Sequence, residues 1–241
     1  MNQLFKSRFF YFTLLFVLVS TKPSFSQLKF QIDGKIDNSV FRQAGYTIEN
    51  GDLITLDFIN LERIDSAIVS NEQFQFTGQV DIPSVAMVNF KGGGFLLLID
   101  ESDYQVVVAV YEEGKGRYSY GDIRIETQSP FFNLWKNLGM RKGDLNDQKL
   151  EVQDLLKGEI TDAERNSYED ELQQINEKLA ALYYDASKEH QDTYEMTYLL
   201  PAAPDFSYSR YIDYYNKLSA DIKNSFYGVN LYKRLLLTKP N

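Results

Sequence analysis

The chain has 241 residues, a formal net charge of −9 and no cysteine, and its only histidine and only tryptophan are His190 and Trp135. The missing cysteines exclude disulfides, thiolate metal sites, a thiol nucleophile and lipid attachment through a cysteine. The acidic balance disfavours nucleic acid and anionic lipid headgroups as partners. The length suits one large domain or two small ones, and it is sufficient for a buried core.

The first 26 residues have the three-part layout of a secretory signal peptide. Lys6 and Arg8 form a basic start, residues 9–19 form an apolar run, and small residues then lead to a cleavage site near Ser26. The apolar run is about half of the roughly 20 residues that span a bilayer, which disfavours a retained anchor. We therefore expect a signal peptide over residues 1–26 and a periplasmic or secreted protein without membrane insertion.

From Leu28 to about Thr127 the sequence alternates with a period of two residues, which predicts strands. Phe74-Gln75-Phe76-Thr77 alternates as a strand with one buried face should, and Lys91-Gly92-Gly93-Gly94 marks a turn between two apolar runs. The strands are predicted over residues 30–36, 53–59, 67–69, 74–78, 85–90, 95–99, 104–111 and 118–125. Short strands at regular spacing predict an antiparallel β-sandwich of about eight strands in residues 27–127.

From residue 128 onward the hydrophobic period becomes helical. Ser129-Pro130 predicts an N-cap followed by proline at the first helical position. Gly139 and Gly143 are expected to end this helix, and a second one should follow over residues 145–157. Further helices are predicted from Thr161, over about 192–200, from Ser207 or Ser209 to 218, and over about 219–238.

The helix that begins after Thr161 has the clearest pattern of the helical region. Thr161 and Glu164 have the spacing of a capping box, and an apolar stripe follows them. This stripe predicts a helical hairpin with residues 145–157. Taken together, the two halves predict an α+β fold in which the β-sandwich is followed by a helical region, residues 128–241, packed with it.

Four segments resemble a bacterial family of unknown function. They are residues 30–36, 64–69 and 74–80 among the strands and residues 218–228 among the helices. That family forms a small β domain before the thioredoxin-like domain of envelope proteins of the AhpC/TSA and TlpA type. Over residues 28–237 the resemblance implies a stand-alone version of this accessory module. Because the chain has no CxxC motif and no cysteine, the redox activity of those proteins is not carried over to any residue.

No residue set in the sequence predicts a catalytic, cofactor or metal site. His190 alone cannot form a multi-histidine site, and no Gly-x-Ser-x-Gly motif supplies a triad nucleophile. The Lys91–Gly94 turn is followed by a strand rather than the helix that a phosphate loop requires. The acidic turn Asp100–Asp103 fits either a bound cation or an ordinary solvated turn, and both alternatives stay open. We expect no enzyme, and a carboxylate-based glycan hydrolase remains an alternative.

A tyrosine cluster is the candidate interaction surface of the sequence. Its members are Tyr194, Tyr198, Tyr208, Arg210, Tyr211, Tyr214 and Tyr215. At helical spacing these rings fit a core, and tyrosine and arginine are also enriched at protein interfaces, so both interpretations stay open. The sequence predicts a non-catalytic exported binding or interaction module for an envelope protein, a glycan or a small ligand. The alternative is an accessory protein that docks in trans on a thioredoxin-like or peroxiredoxin-like partner.

Overall fold

A computed structural model describes residues 27–38, 47–91, 93–109 and 123–240 of the chain. The strands are β1 (Leu28–Asp37), β2 (Leu53–Phe58), β3 (Arg63–Ile68), β4 (Gln73–Val80), β5 (Ser84–Phe90), β6 (Gly93–Ile99), β7 (Asp103–Ala109) and β8 (Ile123–Thr127). Each predicted strand overlaps a strand among the described residues, although several ends differ. The predicted signal peptide, residues 110–111 and 118–122 of the last two predicted strands, and the loop over residues 112–116 lie outside the described residues.

The strands form two four-stranded sheets that pack face to face. Sheet A has the order β4-β1-β7-β8, and sheet B has the order β3-β2-β5-β6. The rings of Phe30 on β1 and Phe58 on β2 lie 6.0 Å apart across the sandwich. The predicted α+β class is therefore confirmed. One detail differs from an antiparallel sandwich, because β1 pairs with β7 in parallel. Alternating burial is the same for both strand directions, so the sequence pattern did not distinguish them.

The helices are α1 (Pro130–Leu155), α2 (Asp162–Glu189), α3 (Tyr194–Leu199), α4 (Tyr208–Lys217), α5 (Ala220–Asn224) and α6 (Phe226–Leu237), with a 3₁₀ turn (Leu200–Ala202) after α3. The prediction that Gly139 and Gly143 end the first helix is wrong, because α1 continues through both. Each glycine costs a helix about 1 kcal/mol relative to alanine. Packing of Val152 against Ile175 and Leu179 of α2 holds the far half of α1 in place.

The predicted capping box and helical hairpin are both confirmed. The Thr161 hydroxyl accepts from the Glu164 N–H at 3.3 Å, and the Glu164 carboxylate accepts from the Thr161 N–H at 2.8 Å. These two bonds satisfy donors that the first turn of α2 would otherwise leave unpaired. Helix α2 then runs beside α1 through the apolar stripe predicted from the sequence.

The predicted single helix over residues 219–238 is interrupted at Ser225. Its backbone is extended, with ψ at 165°, and its hydroxyl accepts from the Gly228 N–H at 3.2 Å, which starts α6. Gly228 also allows the backbones of α5 and α6 to lie close together, because it has no side chain. A Cβ at this position would lie 2.1 Å from the Ile222 carbonyl oxygen. The α5–α6 bend therefore depends on a residue without a side chain.

A buried polar group joins the helices to the sandwich. The Asp100 carboxylate, at the end of β6, accepts from the Ser129 hydroxyl at 2.7 Å, the Tyr104 hydroxyl at 3.0 Å and the Phe131 N–H at 3.2 Å. The start of α1 is thus fixed to both sheets, and one continuous set of buried apolar residues extends from the strands into the helices. None of the described helices is both long enough and apolar enough to cross a membrane.

Candidate functional site

A cleft of about 450 Å³ lies between α1, α3, α6 and the residue that follows β2. Its volume falls in the range of about 300–1,000 Å³ that is typical of small-molecule sites. We refer to it as the aromatic cleft. It is lined by Ile59, Trp135, Gly139, Tyr183, Thr197, Tyr198, Leu199, Pro201, Ala202, Phe226, Tyr227, Asn230, Leu231 and Arg234.

The rings of the aromatic cleft are held in place by contacts with one another. Tyr198 meets Phe131 edge-on with centroids 5.8 Å apart, and it meets Tyr227 at 5.5 Å. Phe226 packs on Tyr227 at 5.7 Å, and the ring of Trp135 lies 5.5 Å from a neighbouring phenylalanine. Edge-to-face pairs of this kind add to the stabilisation from buried area. The walls are therefore formed before any ligand arrives.

One face of α6 supplies most of the polar groups of the aromatic cleft. Tyr227, Asn230, Leu231 and Arg234 follow each other at helical positions i, i+3, i+4 and i+7, and all four line the cleft. Leu231 is fully buried and anchors this face to the core. The hydroxyl, the amide and the guanidinium therefore lie along one line, which runs from the buried base of α6 to its exposed end.

The hydroxyl of Tyr227 is buried without a hydrogen-bond partner. Only 2% of this residue is exposed. The Val85 N–H lies close to the hydroxyl oxygen, but it donates to the Asn60 side-chain oxygen at 3.0 Å. Burial raises the pKa of Tyr227 above its usual value, and the nearby Tyr198 and Glu195 raise it further. At neutral pH the hydroxyl is therefore a protonated donor with an unmet bond.

The charge of the aromatic cleft is opposite to that of the whole protein. Arg234 is the charged residue among those that line it, and none of the described lining residues is acidic. A second cation lies at its edge. Lys142 donates to the Ala202 carbonyl at 3.1 Å and lies 5.8 Å from the centre of the Tyr183 ring. The cleft is thus a positive region on a protein of net charge −9.

A second depression, of about 710 Å³, lies over the outer face of sheet A. The parallel β1–β7 and antiparallel β1–β4 registers bring Gln75 and Gln105 beside Asp33. The Asp33 carboxylate accepts from the Gln75 amide at 2.6 Å, from the Gln31 amide at 2.8 Å and from the Gln105 amide at 3.0 Å. These bonds, that from Gln75 foremost, hold the pKa of Asp33 below its usual value. We refer to this depression as the polar groove.

The tyrosine cluster is spread over several environments. Tyr211 and Tyr214 are buried, while Tyr194, Tyr198, Tyr208 and Tyr215 are half-buried against the core. The cluster does not form one surface, and of its members Tyr198 lines the aromatic cleft.

Arg210 and Tyr211 share one acidic partner. Arg210 forms an ion pair with Asp205, and the Tyr211 hydroxyl donates to the same carboxylate at 3.0 Å. The Arg210 guanidinium also donates to the Ala180 carbonyl at 3.1 Å and lies 4.6 Å from the centre of the Tyr184 ring. These contacts tie α4 to α2. An interface role for the cluster stays a prediction.

The residues considered for metal binding have structural contacts. The Asp100 carboxylate accepts hydrogen bonds from the start of α1, and His190 is the C-cap residue of α2. Within the described ranges no group of three histidine, cysteine, aspartate or glutamate side chains is arranged to hold a metal ion. Within the acidic turn, Asp100 therefore links the strands to the start of α1 through its hydrogen bonds.

Comparison with known proteins identifies one related family. Residues 30–116 match a family described as a domain of unknown function (DUF4369). No curated protein and no solved structure matches the chain. The match confirms the predicted resemblance to a domain of unknown function over residues 30–116, while its extension to residue 237 and the association with thioredoxin-like domains stay predictions. Among the residues that line the aromatic cleft, Ile59 lies within the matched segment and the others follow it.

Proposed function

We propose that the protein is a non-catalytic binding module that holds a small, largely apolar ligand in the aromatic cleft. The observation that carries this proposal is the cleft itself, about 450 Å³ in volume, with walls of packed aromatic rings and with the Asn230 amide and the Arg234 guanidinium among its lining groups. A mostly apolar cleft with a few polar groups is typical of small-molecule sites.

The polar groups of the cleft suit holding a ligand rather than transforming it. Asn230 and Arg234 offer an amide and a guanidinium, which donate hydrogen bonds at neutral pH. The Thr197 hydroxyl is already bonded to the Thr193 carbonyl at 2.6 Å and lies 3.2 Å from the Tyr214 hydroxyl. No described lining residue is a histidine or a carboxylate that would serve as a general base.

We also propose that the module works outside the cytoplasm, in the periplasm or after secretion. The support is the sequence of residues 1–26, with its basic start, apolar run and small residues before the expected cleavage near Ser26. N-terminal sequencing of protein recovered from the envelope or the medium should begin at Gln27. A protein that retains residues 1–26 and stays in the cytoplasm contradicts this proposal.

Binding in the cleft can be tested with a reporter that the chain already contains. Trp135 is the only tryptophan, and it lines the cleft. A screen of small apolar compounds should find ligands that change Trp135 fluorescence and raise the melting temperature together. A compound that raises the melting temperature without changing Trp135 fluorescence binds elsewhere. If every ligand found in the screen leaves Trp135 fluorescence unchanged, the proposal is overturned.

Two glycines of α1 provide a blocking variant and its matched control. Gly139 lines the cleft and Gly143 lies one helical turn further on, and a Cβ at either position would meet no atom within 4 Å. Gly139→Leu should fill the cleft and abolish ligand binding, whereas Gly143→Leu should leave it intact. Both changes add a good helix former, so neither should destabilise the fold. Equal ligand affinity in the two variants contradicts binding in the cleft.

Docking on a protein partner in trans is the second candidate function. Val229, Tyr232 and Leu236 form an exposed apolar stripe on the face of α6 that points away from the cleft. Tyr215, from the predicted cluster, stacks on Tyr232 with centroids 4.8 Å apart and extends this stripe. An apolar and aromatic patch of this kind is typical of protein interfaces. The thioredoxin-like or peroxiredoxin-like identity of the partner rests on the sequence resemblance.

Affinity capture from the envelope fraction tests this second function. The protein should recover a thioredoxin-like partner, and Leu236→Asp should lose it because a carboxylate would enter the apolar contact. Lys233→Asp, on an adjacent exposed position of α6, controls for the added negative charge. Recovery of no redox protein, or equal recovery by both variants, counts against docking through this stripe.

A further inference from the structure

We propose that the ligand of the aromatic cleft is a small amphiphilic anion. Its apolar body would pack on Trp135 and Phe226, and its carboxylate or sulfonate would pair with Arg234. This inference rests on the proposed function, because it specifies the chemistry of the ligand in the same cleft. It also assigns a specificity-determining role to Arg234, a residue that neither composition nor motif singles out.

The place of Arg234 in the aromatic cleft carries the first part of the argument. Arg63 and Arg210 pair with aspartates, whereas Arg141, Arg165 and Arg234 form no ion pair with a described carboxylate, and of these three Arg234 lines the cleft. No carboxylate of the described residues pairs with Arg234, although the chain has 34 acidic residues against 25 basic ones. A guanidinium binds a carboxylate or sulfonate through two parallel hydrogen bonds, which a neutral ligand cannot match. The charge of Arg234 is therefore available to a ligand.

The spacing along α6 gives the second part. Arg234 lies seven residues after Tyr227, which is about 10 Å along a helix axis. Tyr227 is buried and Arg234 is exposed, so the two donors mark the inner and outer ends of the cleft. The Asn230 amide lies between them. A ligand that fills the cleft needs an apolar body of aromatic size at the inner end and an anionic group at the mouth.

The exposure of Arg234 decides which end of the ligand carries the charge. An anion at the inner end, beside the buried residues Tyr227 and Leu231, would lose its water, which is unfavourable. At the mouth the anion keeps contact with solvent and gains the guanidinium, with the Lys142 ammonium at the edge of the cleft. The apolar body then enters first, and the anionic group stays outermost.

A pair of fluorescent probes separates the anionic requirement from binding in the cleft. The probes are 8-anilinonaphthalene-1-sulfonate and N-phenyl-1-naphthylamine, which share a ring system and differ by the sulfonate. Binding is read by energy transfer from Trp135, and the part of the signal that Gly139→Leu removes is assigned to dye in the cleft. Wild-type protein should bind the sulfonate more tightly than the neutral probe. Arg234→Gln should weaken the sulfonate about tenfold or more and change the neutral probe by less than twofold.

Two control variants make each outcome informative. Lys233→Gln removes the same charge from the adjacent, exposed position of α6 and should leave both affinities unchanged. Gly139→Leu should abolish binding of both probes. If both probes bind and Gly139→Leu blocks them, but Arg234→Gln acts no more strongly than Lys233→Gln, the anionic ligand is refuted and the cleft remains a binding site. If Gly139→Leu blocks neither probe, or neither binds wild type, the proposed function itself fails.

Discussion

The polar groove on sheet A and the aromatic cleft are both open depressions, and they differ in whether their polar groups are satisfied. In the groove the Asp33 carboxylate is surrounded by glutamine amides that donate to it. In the cleft the buried Tyr227 hydroxyl has no partner, and Arg234 has no carboxylate beside it among the described residues. A depression whose polar groups bond one another offers little to a ligand. The larger opening is therefore not the better candidate site.

The two depressions also differ in how the chain forms them. The polar groove arises from strand register, since β1, β4 and β7 lie side by side and their outward residues meet. The aromatic cleft combines five parts of the chain, from Ile59 to Arg234, and it depends on the bend between α5 and α6. A change in local backbone geometry should therefore affect the cleft more than the groove.

The largest expected effect tests this difference with Gly228, from the α5–α6 bend on which the cleft depends, and Gly34, which lines the polar groove. A Cβ at Gly228 would lie 2.1 Å from the backbone oxygen of Ile222, whereas a Cβ at Gly34 would lie 2.0 Å from the side-chain ring of Phe74. A ring can turn, but a carbonyl in a helix end cannot move without its helix. We expect Gly228→Ala to destabilise the protein by at least about 3 kcal/mol and Gly34→Ala by about 1–3 kcal/mol.

Urea unfolding of the two variants measures both free energies, with Gly143→Ala as a control. Gly143 is exposed in α1, and its replacement should be neutral or stabilising by up to about 1 kcal/mol. If Gly34→Ala costs as much as Gly228→Ala or more, the backbone at the bend is not the stricter constraint. The distinction between a cleft set by backbone contact and a groove set by side chains would then be wrong.

The next prediction compares a hydroxyl that has no partner with one that has. The Tyr214 hydroxyl lies 3.2 Å from the Thr197 hydroxyl, and burial raises the pKa of Tyr214 to about 12. Tyr214→Phe should therefore cost about 1 kcal/mol, because it leaves Thr197 with a weaker network. Tyr227→Phe removes an unmet donor, so it should be neutral or stabilising by about 1 kcal/mol in the protein without ligand.

Thermal or urea unfolding of these two phenylalanine variants gives the comparison directly. Both residues are buried and both changes remove one oxygen, so differences in packing largely cancel. A loss of stability in Tyr227→Phe as large as that in Tyr214→Phe would mean that the Tyr227 hydroxyl is bonded in solution.

The strands could be predicted from the sequence because alternation records burial directly. Phe74 and Phe76 face the core and Gln75 faces out, as their order implies. The α1 error has a physical cause as well, since the cost of Gly139 is local while the packing that outweighs it comes from α2. The cleft could not be predicted in this way. Trp135, Tyr198 and Arg234 are brought together only by tertiary structure.

One signal for the cleft was nevertheless present in the sequence. Tyr227, Asn230 and Arg234 share a helical face with Leu231, which is an unusual placement for an amide and a guanidinium beside a buried leucine. The tyrosine count drew attention to α4, where Tyr211 and Tyr214 mostly serve the core. Ring content alone did not separate packing from binding, whereas unpaired polar atoms do so once the structure is known.

The smallest expected effect concerns the acid stability contributed by the polar groove. The three glutamine amides lower the pKa of Asp33 from its usual value of 3.8, Gln75 most strongly. A carboxyl whose pKa is lower in the folded state stabilises the fold above its unfolded pKa, and this stabilisation is lost as the pH falls through the folded pKa. Because Asp33 is largely in contact with solvent, we expect about 0.5 kcal/mol or less.

Gln75→Met should remove most of this contribution, so that the variant is slightly less stable than wild type at pH 7 and equally stable once Asp33 is protonated. Gln79→Met, on the same face of β4 and without a side-chain bond to Asp33 among the described residues, controls for the loss of an exposed amide. Urea unfolding from pH 7 down through the titration of Asp33 provides the measurement. If the difference in unfolding free energy between wild type and Gln75→Met persists unchanged below that range, the Gln75 amide acts through packing. Its hydrogen bond to the ionised Asp33 carboxylate would then not contribute to stability.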